Sequence, residues 1–249
     1  MELSTFFYKT GAIVVMGGAG IAGSVSLLLF LAFLYGGAPG WIKLDPGGPG
    51  NLVLNGALSF LFFLQHSGMI RRSFRKSLSK FVPSHYQGAL YTLASGAVLT
   101  AFVVFWQPSN TVVLEAGGPL KYFLRALFFL SLLGMLWGVW TLRPVDMFGL
   151  DPILRKIRTI PVTKPPFIIR GPYRWVRHPL YLFMIVQFWS CPKLTTDRLL
   201  FNVLWTAWVV AATVLEERDL ADDFGEAYRH YQAKVPMLLP RTFRASYPK

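Results

Sequence analysis

Residues 170–181 read Arg-Gly-Pro-Tyr-Arg-Trp-Val-Arg-His-Pro-Leu-Tyr and run directly into an apolar stretch, Leu180 to Cys191. A second apolar stretch, Leu199 to Leu215, ends in Glu216-Glu217-Arg218-Asp219-Leu220, with Phe224-Gly225-Glu226-Ala227-Tyr228 close behind. Pro192-Lys193-Leu194-Thr195-Thr196-Asp197 separates the two stretches, so the pattern predicts a helical hairpin with both polar clusters at one end. A chain that is mostly apolar yet keeps Arg, His, Tyr and paired carboxylates at two places is expected to use them on a polar ligand.

Upstream lie four more apolar runs, Gly11 to Gly36, Leu52 to Ile70, Leu90 to Trp106 and Tyr122 to Leu142. Each is near the roughly 20 residues needed to cross about 30 Å of hydrocarbon at 1.5 Å per residue. Over 249 residues, 53% are hydrophobic and only 15% charged, which excludes a soluble fold. The expected fold class is all-α, a polytopic membrane protein of about six spanning helices with a C-terminal helical hairpin. Its first region is residues 1–142, an N-terminal four-helix membrane region. The second is residues 143–249, with the polar clusters, the hairpin and a tail. Leu180 to Cys191 is short for a full span unless Tyr173 to His178 begins the same helix. The first run is longer than the apolar core of a typical signal peptide and reads as a permanent helix. Gly18, Gly20 and Gly23 spell G-x-G-x-x-G inside that run, where helix packing accounts for them better than a nucleotide loop.

The net charge of +13 is distributed unevenly. Arg71, Arg72, Arg75, Lys76 and Lys80 follow the second run; Arg143, Arg155, Lys156, Arg158, Lys164, Arg170, Arg174 and Arg177 follow the fourth; Arg218, Arg229, Lys234, Arg241, Arg244 and Lys249 follow the sixth. Lys43, Lys121, Lys193 and Arg198 fall in or beside the alternate loops. This is the positive-inside pattern of a protein with both termini cytoplasmic, and the cations are expected to meet anionic membrane lipids rather than nucleic acid. The single cysteine, Cys191, excludes an intramolecular disulfide and any Cys-rich metal site and reads as a small apolar filler.

Arg71 to Val82 places Ile70, Phe74, Leu78 and Phe81 three to four residues apart with cations between them, an amphipathic helix for the membrane surface. Ile153, Leu154, Ile157 and Ile160, interleaved with Arg155, Lys156 and Arg158, predict another. Pro161, Pro165 and Pro166 then impose an extended path. Asp219, Asp222, Asp223 and Glu226 read as a solvent-facing stripe paired with Arg218, Arg229 and Lys234, not as metal ligands.

Antiparallel pairing of the hairpin brings Tyr173, Arg177, His178 and Tyr181 to Glu216 and Glu217 despite the sequence separation of about 40 residues. Pro179 suits a first helical turn and leaves His178 as the cap. Arg174, Trp175 and Arg218 read as interfacial anchors. Taken together, Gly-Pro-Tyr at 171–173, Arg-His-Pro-x-Tyr at 177–181, Glu216-Glu217, Phe-Gly-x-x-Tyr-x-x-Tyr at 224–231 and Val235-Pro236 resemble the membrane methyltransferase superfamily of isoprenylcysteine carboxyl methyltransferases and phospholipid N-methyltransferases. The resemblance covers about Lys164 to Pro240. It implies that S-adenosyl-L-methionine is the cofactor and binds on the cytoplasmic side of the hairpin, making 143–249 the cofactor-binding region. Position by position, it assigns Phe167 and Ile168 to the cofactor wall, Tyr173, His178, Pro179, Leu180 and Tyr181 to the cofactor, and Glu216 to its polar end, with no metal. A carboxylate suits hydroxyl or amino groups, and aromatic faces favour a sulfonium cation. Phe183 stands where many relatives have Gly. Ala212 stands one turn before Glu216, where the carboxyl methyltransferases place an Arg for the substrate carboxylate.

A narrower likeness reaches much of the chain. Gln65-His66-Ser67, Arg71-Arg72-Ser73-Phe74, Phe148-Gly149-Leu150, Phe188-Trp189-x-x-Pro192, Glu216 to Leu220 and Val235 to Pro240 are similar to bacterial methanethiol S-methyltransferases. The implied acceptor is a small thiol, methanethiol, with dimethyl sulfide and S-adenosylhomocysteine as products in a bacterial inner membrane. Methyl transfer is an in-line displacement, so alignment and exclusion of water dominate, and a group that favours the thiolate is required. His66, in an apolar span, is the candidate catalytic base or orienter. The alternative is a buried His bonded to a neighbouring helix. His85 and His230 read as solvated. A phospholipid or isoprenylcysteine acceptor, a membrane reductase of sterol-reductase type and a catalytically silent membrane component stay open on sequence, as does the oligomeric state.

Overall fold

A computed structural model describes residues 2–44, 47–143, 145–161 and 167–241. Pro144, Lys164, Pro165, Pro166 and the tail beyond Arg241 lie outside the described residues. In chain order the elements are α1 (Glu2–Gly36), α2 (Gly48–Ile70), α3 (Arg72–Leu78), α4 (Gln87–Phe105), β1 (Val112–Glu115), α5 (Gly118–Thr141), α6 (Asp151–Arg158), α7 (Pro179–Trp189), β2 (Lys193–Thr195), α8 (Thr196–Phe224) and α9 (Glu226–Lys234). Pro49, Pro119, Pro152 and Pro179 sit in the first turn of α2, α5, α6 and α7, where the missing amide hydrogen costs nothing and the fixed φ favours the helix. Gly225, at φ +59°, ends α8.

The protein is an all-α polytopic membrane protein. Among the described residues, five helices are long and apolar enough to cross a membrane: the one beginning in α1 at Tyr8, then α2, the segment Ser84–Phe105, α5 and α8. The fifth apolar run, Leu180 to Cys191, forms only the 11 residues of α7, roughly 16 Å long. Residues 173–178 do not extend it, because Gly171–Arg174 forms a separate 3-10 turn and the helix starts at Pro179. The surface helix expected over Arg71 to Val82 stops at Leu78. Pro83 disfavours helical geometry at Val82, and a turn intervenes.

The chain forms two compact units, Met1–Pro108 with Asp146–Lys164, and Ser109–Val145 with Pro165–Lys249. In the first unit, the loop before α6 is drawn onto α1 and α4. A Cβ on Gly23 would lie 2.6 Å from the Phe148 ring, and one on Gly149, at φ +67°, would lie 2.3 Å from the carbonyl carbon of Gly88. Only two glycines let those backbones touch. Thr92 Oγ1 donates to the Phe148 carbonyl at 2.9 Å, and Ile153 of α6 is buried with Ala12, Ala19 and Ala89. At the other end of α4, Asn55 Nδ2 donates to the Gln107 carbonyl and the Gln107 amide donates to Asn55 Oδ1, both at 2.8 Å. Gln107 Nε2 donates to Ile42 O, and Leu44 N donates to Gln107 Oε1, so one amide pair fixes the loop after α1.

In the second unit, α7 rests in a groove of α5 made by small residues. A Cβ on Gly134 would meet the Phe183 ring at 2.5 Å, and one on Gly138 would meet Leu180 at 2.6 Å. Phe183 therefore packs on a neighbouring helix. On its other side α7 meets α8 through Phe188 against Phe201 and Trp205. An antiparallel ladder between β1 and β2, with Val112 opposite Thr195 and Glu115 opposite Lys193, joins the segments that precede α5 and α8. Cys191 is half-buried beside α8, with Asn202 Nδ2 3.9 Å from its Sγ.

Candidate active site

The first polar cluster is shaped by backbone. Gly171, at φ +51°, opens the 3-10 turn, and a Cβ there would lie 2.5 Å from Thr141 Oγ1, so only glycine passes the end of α5. The chain then bends at Arg177, and the amides of Arg177 and His178 donate to Pro236 O at 2.9 Å and Met237 O at 3.1 Å. The segment after α9 is thereby strapped to the residues that begin α7. Tyr231 Oη adds a bond to the Tyr173 carbonyl at 2.5 Å.

Glu217 of α8 is the hub. It accepts from Arg177 Nε and Nη2, His178 Nε2 and Gln232 Nε2, each at 2.7 Å, and from Tyr228 Oη at 2.9 Å. Arg177 Nε donates to Oε1, and Arg177 Nη2 and Gln232 Nε2 donate to Oε2; none of these nitrogens can accept, so both oxygens act as acceptors, as those of a carboxylate do. The Arg177 contact is a two-pronged guanidinium–carboxylate pair, a strong and orientation-specific arrangement. Arg177 Nη1 also donates to Gln232 O and Val235 O, completing the strap.

Glu216 is its opposite. Its side chain is 43% exposed against 11% for Glu217, and it accepts from Tyr181 Oη at 2.5 Å. His178 lies between the two acids, with Nδ1 4.0 Å from Glu216 Oε2 and its ring stacked on Tyr181 at 5.6 Å. The exposed part of the Glu216 carboxylate can accept hydrogen from a ligand.

The predicted convergence of Arg177, His178 and Tyr181 on Glu216 and Glu217 is present atom by atom. Tyr173 stands nearby: burial raises its phenol above the ordinary tyrosine value, and the charge of Glu216 adds to the effect. Pro179 is buried at the start of α7, and Leu180 contacts the Gly138 position of α5. Phe167 enters an aromatic nest with Phe224, Tyr228 and Tyr231 at 5.2 to 5.7 Å between ring centres, and Ile168 is half-buried beside it in sequence. Burial raises Tyr228, reinforced by its bond to Glu217, and burial likewise raises Tyr231, so both phenols stay protonated donors.

His66 belongs to the other unit. Tyr91 Oη of α4 lies 2.9 Å from both of its ring nitrogens, and its ring stacks on Phe62 at 5.0 Å. Beside it, Gln65 donates to Ser95 Oγ at 3.1 Å. Sequence reasoning assigned no role to Glu217, Tyr228 or Gln232. The signal available was two acids opposite an Arg-His pair, where one acid satisfies the bases and the other is left for a ligand.

A helical membrane protein with a buried Arg–His–Glu hub and a more open carboxylate beside it belongs to the class whose intramembrane polar groups are suited to a polar ligand. Comparison with known proteins narrows the class. A methanethiol S-methyltransferase of a Pseudomonas species is 36% identical over 221 residues, spanning 87% of this chain and 85% of the relative. Methanethiol S-methyltransferase 2 of Bradyrhizobium diazoefficiens is 34% identical across 81% of this chain and 79% of its own length. The Mycobacterium tuberculosis methanethiol S-methyltransferase is also 34% identical, across 76% and 78%. No family model and no solved structure matches the chain. The chain belongs to the methanethiol S-methyltransferase family of membrane enzymes.

Proposed function

We infer that the protein transfers a methyl group from S-adenosyl-L-methionine to methanethiol, yielding dimethyl sulfide and S-adenosylhomocysteine. The relatives' shared name across most of their length supports the acceptor. The observation that carries the donor site is the half-open Glu216 carboxylate flanked by His178, Tyr181 and Tyr173. This donor set suits such a cofactor: the carboxylate and imidazole supply acceptors for polar hydrogens, and aromatic rings accommodate a sulfonium. When bound, the cofactor supplies an electrophilic methyl group.

Glu216 and His178 hold the polar end, Tyr181 orients Glu216, and Tyr173, Phe167, Ile168, Pro179 and Leu180 line the site and exclude water. Alignment and dryness account for most of the barrier reduction in a displacement of this kind. His66, with Tyr91 beside it, takes or orients the thiol proton. The polar end faces the cytoplasm, with both termini on that side of a bacterial inner membrane, a reading that the distribution of Lys and Arg supports.

Membranes incubated with methyl-labelled donor and methanethiol are expected to release labelled volatile thioether; label confined to lipid overturns the thiol assignment. Glu216→Gln, which keeps the shape and removes the charge, is expected to weaken S-adenosylhomocysteine binding by about ten- to a hundredfold in calorimetry. His66→Gln is expected to lower turnover most steeply on the acid side, and an unchanged pH profile removes His66 from the mechanism.

A further inference from the structure

Neighbouring residues on a helix point about 100° apart, so Glu216 and Glu217 cannot share one environment. Five donors occupy Glu217, while Glu216 stays largely open. His178 touches both, and its two ring nitrogens are not equivalent. Nε2 lies 2.7 Å from Glu217 Oε1, and a carboxylate has no hydrogen to give, so in the neutral imidazole the ring proton sits on Nε2. Nδ1 is then a lone-pair acceptor on the side of Glu216, 4.0 Å from Oε2. The hydroxyl of Tyr181, stacked on the same ring, points its hydrogen at Glu216. His178 is only 6% exposed, and its backbone amide is taken by Met237 O, so neither the ring nor the backbone has freedom to rearrange.

Two acceptors 4.0 Å apart, one of them anionic, repel each other until a cation with several hydrogens bridges both from one side, about 2.8 Å from each. An ammonium group offers three N–H and a positive charge, whereas a hydroxyl offers one hydrogen and no charge. We propose that Glu217 is a positioning residue that holds His178 with its proton on Nε2, and that the resulting pair of acceptors, His178 Nδ1 and Glu216 Oε2, selects the amino group of the methyl donor's amino-acid tail. The inference rests on the donor assigned above. It adds which group of that donor is read here, and how a residue that never meets the ligand controls the reading.

The test pairs a spectrum with a binding series on the full-length protein in lipid nanodiscs. Nitrogen-15 spectra of ring-labelled histidine, with the His178 signals identified by their loss in His178→Gln, are expected to show the Nε2-protonated tautomer. A proton on Nδ1 overturns the proposal without any variant of Glu217 being needed. In calorimetry the wild type is expected to bind S-adenosylhomocysteine at least tenfold more tightly than its analogue lacking the amino group, and to tolerate loss of a ribose hydroxyl better. Equal affinity for the deaminated analogue, or a larger loss with the deoxyribose analogue, overturns the proposal while leaving the donor in place. No binding of S-adenosylhomocysteine at all fails the donor assignment itself. Glu217→Gln can donate to Nε2 and so move the ring proton to Nδ1. It is expected to weaken S-adenosylhomocysteine tenfold or more and leave the deaminated analogue nearly unchanged, with Glu217→Asp restoring the preference. Equal weakening of both ligands marks a purely structural residue and counts against the inference.

Discussion

The two units bury polarity in different ways. In the first, the buried polar side chains among the described residues are neutral: Ser26, Asn55, Ser59, Gln87, Thr92 and Gln107. In the second, His178, Asp197, Arg198 and Glu217 are buried as well. A neutral amide needs only hydrogen-bond partners, and the Asn55–Gln107 pair finds them in backbone groups. A buried charge needs a counter-charge and several hydrogen bonds besides, and leaving water costs several kcal/mol even then. The first unit thus uses polarity to fix loops, whereas the second also buries ionic groups, His178 and Glu217 beside the carboxylate assigned to the donor and Asp197 and Arg198 at the opposite end of α8.

That contrast is broken most directly at the hub. Arg177→Ala or Glu217→Ala leaves one buried charge without its partner and is expected to cost about 3–5 kcal/mol in unfolding free energy. The double variant Arg177→Met with Glu217→Leu is expected to recover much of the loss. Thermal unfolding in nanodiscs measures both, and a single-variant loss under about 1 kcal/mol, the size of a surface pair, contradicts the comparison. Asn55→Ala is the matching change in the first unit. It strands the Gln107 amide and carbonyl and is expected to cost about 1–3 kcal/mol while S-adenosylhomocysteine affinity stays unchanged. A fall in affinity as large as that of Glu216→Gln would merge the two kinds of burial.

The smallest effect is on pH dependence. Tyr173, Tyr228 and Tyr231 have phenols raised above the ordinary value of 10.0 by burial. Between that value and their folded values, the folded protein keeps protons that the unfolded chain has lost, so stability falls as pH rises. The unfolding midpoint is expected to be flat with respect to these groups up to about pH 9 and to decline above about pH 10. Tyr228→Phe, which also removes a bond to Glu217, should flatten the decline.

Much of this was legible in the sequence because membranes impose length. The five long helices match apolar runs to within a few residues at most ends, and Pro179 announced the start of α7. The β1–β2 ladder was not legible, since Val-Val-Leu-Glu and Lys-Leu-Thr are too short for an alternating pattern to stand out. Nor was the affiliation of α5: glycines at 134 and 138 are common in spanning helices, and only the fold reveals that Phe183 and Leu180 fill the space they leave. At the site the meeting of the clusters was readable from antiparallel pairing. Which of two adjacent glutamates turns inward was not, because it depends on a rotation of α8 that a uniformly apolar helix does not encode.

The β1–β2 ladder also has a mechanical side. It ties together the starts of α5 and α8, while Glu216 lies 20 residues along α8, roughly 30 Å away. The other end of α8 is held by the bonds of Glu217 to Arg177, His178, Tyr228 and Gln232, so the helix that carries the open carboxylate is fastened at both ends, and the strap from α9 to Arg177 and His178 completes the second fastening.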